Sequence, residues 1–387
     1  MVVFIIKIGI FLLNIIYFFI KLFTTRNKIA MISRQSSKET MDFRLIREEI
    51  EKRDKDVKIV ILCRELDGGI NSTILNKIKY GFHMITQMYH IATSKVVILD
   101  SYCIVISILK HKKKLKVIQI WHSMGTMKKF GYTVLGLKEG SSAKIAYTMK
   151  MHNNYDYIFA SNEAYKEHLA SGFNCDINKI LTYPLPRYDL LKDNKWQNRH
   201  RKEIEEYYPI LKKKKNIIYC PTFRKDESDF QDALNKLVNA IDTKKYNLIV
   251  KLHPLSKVIL NNDNDDSIIV DRNFPTFDML SVADYVISDY SCVIYEAAIK
   301  DIPLYFYNFD MDLYDNVRGL AIDYYKELPG IISKDPKDII KDIEKDNYDL
   351  VRLKKFTDKY VKTTKGATKD IVDFIFKIKL LYLLFLY

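Results

Sequence analysis

An α/β fold built from two doubly wound parallel sheets is predicted by three observations. Short apolar runs alternate with helical patterns along most of the chain, the rhythm of βαβ units rather than of hairpins. The rhythm breaks once, at the charged stretch 193–215 with its row Lys212-Lys213-Lys214-Lys215, and then restarts. Polar residues able to do chemistry gather where several runs end, as they do at the carboxyl edge of an open parallel sheet. With 387 residues the chain is long enough for two such domains, each with its own core.

Residues 1–23 are almost wholly apolar, interrupted by Lys7, Asn14 and Lys21, and no small-residue cleavage site follows them. A spacing of seven returns to nearly the same helical face, so these three form one polar stripe on an apolar rod. Such a rod suits a membrane interface, or a span with its stripe against a partner; a core helix of a soluble body is the plainer alternative. Arg26 and Lys28 would keep the following domain on the cytoplasmic side. We expect a membrane-anchoring helix over 1–28, with a polar linker around 24–40.

The first domain, 29–205, is expected to carry strands over 57–63, 95–102, 116–122, 155–161 and 179–184, with helices over 71–90 and 162–170. The second, 206–387, is expected to carry strands over 216–222, 246–252, 267–270, 284–288 and 302–307. Two doubly wound halves would then face each other across a cleft lined by strand ends. The apolar tail 374–387 is too short to span a bilayer and would either touch it or pack on the body.

Composition excludes several classes. The 48% hydrophobic and 28% charged content is that of a globular chain. Five scattered cysteines suit neither a disulfide framework nor a zinc site, which favours a reducing, cytoplasmic setting. A formal charge of +14 calls for a polyanionic neighbour. Lys is spread along the chain without a zinc-finger, RNP or basic-helix pattern, so anionic lipid or phosphate outranks nucleic acid. No Gly-x-Gly-x-x-Gly fingerprint is present, and a count of only 12 glycines argues against a P-loop cradle.

Four strand ends hold the candidate residues. In Trp121-His-Ser-Met-Gly-Thr-Met-Lys-Lys-Phe-Gly131, His122 is a candidate base for an attacking hydroxyl, followed on one loop by Gly125, Thr126, Lys128 and Lys129. His253, before Pro254, is a candidate phosphate donor aided by Lys251. Either histidine could equally be a loop residue satisfied by backbone. Ser288-Asp-Tyr-Ser-Cys292 opens a helix running to about residue 300, where Ser288 and Ser291 would add donors for a phosphate and Asp289 would cap or hold a neighbour such as His253; capping alone is the plainer reading. Arg224, closing Cys220-Pro-Thr-Phe-Arg224, is either a phosphate fork or a surface ion pair.

Taken in order, the His122 loop with Lys128-Lys129, Pro221-Thr-Phe-Arg224, His253-Pro254, Ser288-Asp-Tyr-Ser291 and Arg318-Gly-Leu-Ala-Ile-Asp-Tyr-Tyr-Lys-Glu-Leu-Pro-Gly330 resemble the CDP-glycerol glycerophosphotransferases. That family builds bacterial teichoic acids and includes primases, polymerases and CDP-ribitol-using relatives; the likeness runs from about Ser33-Arg-Gln-Ser36 to Thr364. The resemblance implies a GT-B-like fold working without a bound metal or other cofactor. It implies His122 as general base, with His253, Arg224, Ser288 and Ser291 around the donor pyrophosphate and Arg318 in support. The family loop reads His-Gly-Thr ahead of the Lys pair, whereas His122-Ser-Met-Gly-Thr126 is longer, which bears on the fit of the acceptor.

The expected activity is therefore transfer of glycerol phosphate or ribitol phosphate from a CDP donor to a hydroxyl of a lipid-linked acceptor, with CMP leaving. The acceptor implied is a polyprenyl-diphosphate-linked saccharide or polyol phosphate at a membrane, with no nucleic acid partner; a homo-oligomer is left open. The rival readings are a GT-B glycosyltransferase using a nucleotide sugar and a membrane-bound scaffold without turnover.

Overall fold

The computed structural model describes residues 2–65, 73–138, 140–260 and 265–384. The chain divides into two compact units, one of residues 1–123, 130–187 and 364–387, the other of residues 124–129 and 188–363.

The first unit holds a six-stranded parallel sheet of β1 (Lys28–Ser33), β2 (Lys58–Cys63), β3 (Val96–Leu99), β4 (Lys116–Gln119), β5 (Tyr157–Ala160) and β6 (Ile180–Thr182). Its order is β2-β1-β3-β4-β5-β6, so the chain reverses its direction of growth between β1 and β3, the kind of crevice where doubly wound sheets bind ligands. β1 corrects the expected linker: all six of its residues are buried, between β2 and β3. The charge at its start hid it. The Lys28 ammonium is satisfied inside by the Thr93 hydroxyl and by His90 Nδ1 at 3.2 Å, and burial lowers its pKa to about 8.

The other expected strands of this unit are present, each shorter than its apolar run. The helix expected from 71 is Ile74–Ala92, capped by the Thr73 side chain, which accepts from Asn76 N; residues 71 and 72 lie outside the described residues. The segment 162–170 forms a 3-10 turn followed by the helix Lys166–Phe173.

The N-terminal helix is Val2–Ile20. The C-terminal helix, Ala367–Leu384, belongs to this first unit and not to the second half where the sequence placed it. Its Ile371, Val372, Ile375 and Ile378 are buried, and it packs on the helix Met41–Arg53. Ion pairs Arg53–Asp373 (2.5 Å) and Lys379–Asp54 (2.7 Å) flank that contact. The apolar tail thus has a core to fill.

The second unit carries β7 (Lys215–Cys220), β8 (Tyr246–Val250), β9 (Ile268–Val270), β10 (Tyr285–Ser288), β11 (Leu304–Tyr307) and a short β12 (Ile332–Ser333) that the sequence reading did not include. The order β12-β11-β10-β7-β8-β9 places the switch point between β7 and β10. Counted from β7, this is the strand order of dinucleotide-binding folds. This unit begins at 188 rather than 206 because the helix Asn194–Tyr207 buries Trp196 and Ile204 in it. Trp196 meets Phe277 with ring centroids 5.4 Å apart, and Arg201 Nε donates to Ser281 O at 2.9 Å.

Candidate active site

In the first unit the site grows from the end of β4. Gln119 is fully buried; its Nε2 donates to Ser101 O (3.1 Å) and its Oε1 accepts from Trp121 N (2.9 Å). Trp121 is held at φ +64, a costly conformation for a bulky residue. Its ring is clamped by Phe130 and Phe173, with centroids 4.8 and 5.1 Å away. This turn sends His122 back over the end of β3, where its Nδ1 lies 2.9 Å from Asp100 O.

A carbonyl can only accept, so Nδ1 carries the proton and Nε2 carries the lone pair. The Gln35 amide at 3.4 Å from the same Nδ1 is too long to reverse that choice. Burial pushes the His122 pKa below the usual histidine value, partly offset by the Asp100 carbonyl. The ring is therefore neutral at pH 7 with an accepting Nε2, the state a general base needs. Asp42 and Arg187 stand behind it as an ion pair, with Arg187 Nη2 2.5 Å from Asp42 Oδ2. Sequence reading missed both, because they lie 145 positions apart.

In the second unit the ends of β7 and β10 are stitched together. Ser288 Oγ donates to Cys220 O at 2.8 Å, and Asp289 accepts from Thr222 N at 2.9 Å and from Tyr290 N at 2.5 Å. Ser288 and Asp289 are fully buried. Ser288 is thus committed to the scaffold. Asp289 holds the Thr222 turn and Arg224, in place of the expected contact with His253. Ser291 stays half-buried, its Oγ accepting from Val293 N at 3.4 Å at the start of the helix Val293–Ile299.

Arg224 and Lys251 turn inward. Arg224 Nε and Nη2 donate to Asp310 at 2.5 and 2.9 Å, Nη2 also to Asp289 at 2.8 Å, and Nη1 to Thr222 O at 2.6 Å. Two carboxylates hold this guanidinium above its usual pKa against its burial. Lys251 spends its three protons on Asp271 Oδ2 (2.5 Å), Asp271 O (3.3 Å) and Phe274 O (2.5 Å). Both were expected beside a phosphate; in the structure both are held by buried carboxylates. The signal was present in sequence: Asp310 follows β11 and Asp271 follows β9, two further strand ends.

Lys128 and Arg318 are half-buried beside this cluster. Residues 124–129 pair with 318–321: Lys129 N donates to Gly319 O (3.0 Å) and Ala321 N to Met127 O (2.9 Å). This brings Lys128 and Arg318 within electrostatic reach of each other, and burial foremost, helped by Arg318 and Arg224, lowers the Lys128 pKa. Gly125 is needed for close approach: a Cβ there would sit 2.4 Å from the Tyr295 ring. Thr126 is buried with its Oγ1 on Lys128 O (2.8 Å), shaping the loop, while Lys129 is exposed.

His253 is exposed and faces Phe223, with ring centroids 4.8 Å apart. Its Nδ1 accepts from Leu255 N at 3.2 Å, so in the neutral ring Nε2–H is the donor. Some desolvation, and then the Lys128 charge, lower its pKa. The two histidines hold opposite tautomers: His122 presents a lone pair, His253 a proton.

Two doubly wound sheets, each with polar groups collected at its strand ends, place the chain in the GT-B-like class. The fold matches a structure of the wall teichoic acid polymerase TagF with a TM-score of 0.74 at 21% identity, covering 96% of both chains. It also matches a UDP-GlcNAc 2-epimerase from Methanocaldococcus jannaschii with a TM-score of 0.57 at 15% identity, so fold alone does not choose the chemistry. The family does. Residues 15–377 match CDP-Glycerol:Poly(glycerophosphate) glycerophosphotransferase, and the chain belongs to that family. It is 30% identical to the teichoic acid ribitol-phosphate primase of Bacillus spizizenii over 90% of each chain, and 28% identical to the teichoic acid glycerol-phosphate primase of Bacillus subtilis over 94% of this chain and 96% of that one. The chain is thus a polyol-phosphate transferase, and the nucleotide-sugar alternative is not favoured.

Proposed function

We propose that the protein transfers glycerol phosphate or ribitol phosphate from its CDP ester to a hydroxyl of a lipid-linked teichoic acid precursor. His122 Nε2 takes the proton of the acceptor hydroxyl as its oxygen attacks the phosphorus that carries the polyol. The new O–P bond forms as the bridging P–O bond to the CMP phosphate breaks, and CMP leaves. His253 Nε2–H, Lys128 and Arg318 are assigned to the pyrophosphate oxygens, where charge shifts to the leaving phosphate. Ser291 is assigned to the same phosphates, while Arg224, Lys251, Ser288 and Asp289 hold the strand ends. The first unit is assigned to the acceptor and the second to the CDP donor.

The observation that carries this reading is the opposite tautomers of His122 and His253, set by the Asp100 carbonyl and the Leu255 amide. A base and a phosphate donor need those states at neutral pH. The catalytic body is assigned to the cytoplasmic side of a membrane, with the apolar N-terminal helix as its attachment and membrane lipid as a partner. The test is incubation with CDP-glycerol, CDP-ribitol or UDP-sugars and a lipid-linked disaccharide, with the products weighed by mass spectrometry. Addition of one or more polyol phosphates with stoichiometric CMP is expected; transfer of a sugar, or no turnover with either CDP-polyol, overturns the proposal.

A further inference from the structure

Buried polar groups without protein partners gather in the first unit at the carboxyl ends of β1 and β3, where its strand order reverses. Arg34 directly follows β1. Its backbone N donates to Ser101 Oγ at 2.9 Å and its Nη1 to Tyr102 O at 3.3 Å, and its guanidinium lies 6.0 and 5.9 Å from the ring centroids of Tyr80 and Tyr102. Its Nε is buried with no hydrogen-bond partner. The helix Ile74–Ala92 adds Tyr80, His83 and Gln87, whose spacing puts them on one face. Gln87 is 1% exposed; its Oε1 meets Cys103 Sγ at 3.9 Å, while its Nε2 has no partner. His83 Nε2 has none either, and burial followed by the Arg64 charge lowers the pKa of that ring. Arg64 follows β2 and is tied to the same strand end, its N donating to Ser33 O at 3.1 Å.

These orphan groups are alike in kind. Arg34 Nε and Gln87 Nε2 can only donate, and His83 Nε2 donates in one of its two neutral tautomers. Buried donors without acceptors are costly, and folds keep them where a ligand completes the set. Among the described residues neither Arg34 nor Arg64 has a carboxylate partner, unlike Arg187 and Arg224. The complement of such a cluster is an anion with several oxygens, and a guanidinium fork suits a phosphate. One orphan has the opposite character: Asp100 Oδ1 is buried without a donor, so the ligand brings a hydroxyl as well. The same strand end carries the base. His122 Nδ1 rests on Asp100 O and Arg34 Nη1 on Tyr102 O, backbone positions two residues and therefore at most about 7 Å apart.

Resting on the transfer reading above, we infer that Arg34, with Gln87 and His83, binds the phosphate of an acceptor that already ends in a polyol phosphate, and so holds that polyol's free hydroxyl at His122. In such an acceptor the phosphate stands one polyol away from the attacking oxygen. In an acceptor that ends in a bare saccharide, the lipid diphosphate is set off by whole sugar rings. The short span between the Arg34 and His122 anchors fits the first and not the second. Arg34 and Gln87 thereby select the acceptor, the polyol hydroxyls meet Asp100, and the proton transfer remains with His122.

The test compares two acceptors in the full chain, a lipid-linked disaccharide and the same molecule extended by one polyol phosphate, with CDP-glycerol or CDP-ribitol as donor. Arg34→Ala should raise the KM of the extended acceptor by about tenfold or more, the scale of a lost charge-assisted contact. The KM of the bare disaccharide and the donor affinity measured by calorimetry should stay close to the parent's. Gln87→Met keeps the volume and removes an amide that has no partner, so its KM for the extended acceptor should rise while its melting temperature matches or exceeds the parent's. Equal losses on both acceptors put Arg34 at the lipid diphosphate or in the scaffold and overturn the inference, as does an unchanged KM for the extended acceptor. A Gln87→Met variant that melts well below the parent removes that amide from the site. A parent that uses only the bare disaccharide overturns the inference and leaves the transfer reading standing, whereas a parent that transfers to neither acceptor refutes both.

Discussion

Replacing Arg224 by alanine should act on stability before it acts on catalysis. The guanidinium sits between Asp289 and Asp310 and against the rings of Phe309, Phe230 and Tyr290, at 4.5, 5.4 and 5.8 Å. Its loss leaves two carboxylates in a buried, aromatic-lined site. Asp289 keeps only backbone donors, and Asp310 keeps the Tyr290 hydroxyl at 3.1 Å. Removing one partner of a buried ion pair costs about 3–5 kcal/mol, against about 5–15 kcal/mol of stability for an ordinary domain. Thermal unfolding followed by circular dichroism should therefore fall by roughly 6–20 °C at the 2–4 °C per kcal/mol expected for a unit of this size. Asp310→Asn, which breaks the same cage without touching a phosphate ligand, should shift the midpoint in the same direction by a smaller amount. If Arg224→Ala melts with the parent while the KM for the CDP donor rises tenfold or more, the guanidinium serves the pyrophosphate and the brace is wrong.

Three further outcomes follow from the same geometry. Gly125→Ala drives a methyl to 2.4 Å from the Tyr295 ring, so unfolding in urea should show a loss of about 1–3 kcal/mol from overpacking, together with a weaker donor KM as Lys128 shifts. Because burial depresses the His122 pKa, kcat/KM should stay level as pH falls to 6.5 and decline only below it; an acidic limb centred above 6.5 contradicts the neutral base. Burial also lowers His111 to about 4 and His152 to about 3. A histidine whose folded pKa lies below its unfolded value near 6.5 contributes fully above that pH. The melting temperature should therefore fall progressively from pH 6.5 towards 4, and His111→Gln should flatten part of that fall; a melting temperature constant over this window refutes the assignment.

The strands were legible because their apolar runs are continuous, as buried parallel strands require. β1 was not, since a run of four apolar residues between Lys28 and Ser33 reads as linker until His90 and Thr93 are seen to receive the ammonium. The strand ends were legible as the places where polar side chains collect. What sequence spacing could not supply was the partner of each polar group. Arg224 reads as a free fork until Asp310, 86 positions on, is beside it, and Lys251 reads as a phosphate ligand until Asp271 is. The stripe of Asn14 and Lys21 was visible as periodicity, yet its meaning depended on the loop at 108–111, some 94 positions away. Likewise the apolar tail carried no label saying which core it fills. Lys128 and Arg318 came together only through the pairing of 124–129 with 318–321, a bridge that no local pattern announces.

The division of labour between the two histidines is tested most directly by donor calorimetry combined with single-turnover rates for His122→Ala and His253→Ala. A general base that works only on the acceptor hydroxyl should cost roughly 100-fold or more in turnover when removed, and His122→Ala should still bind the CDP-polyol nearly as the parent does. His253→Ala should lose both donor affinity and rate, because a phosphate ligand acts in the ground state and the transition state alike. If His122→Ala loses donor affinity as severely as His253→Ala, or retains turnover within a few-fold of the parent, His122 is not the base and the mechanism fails.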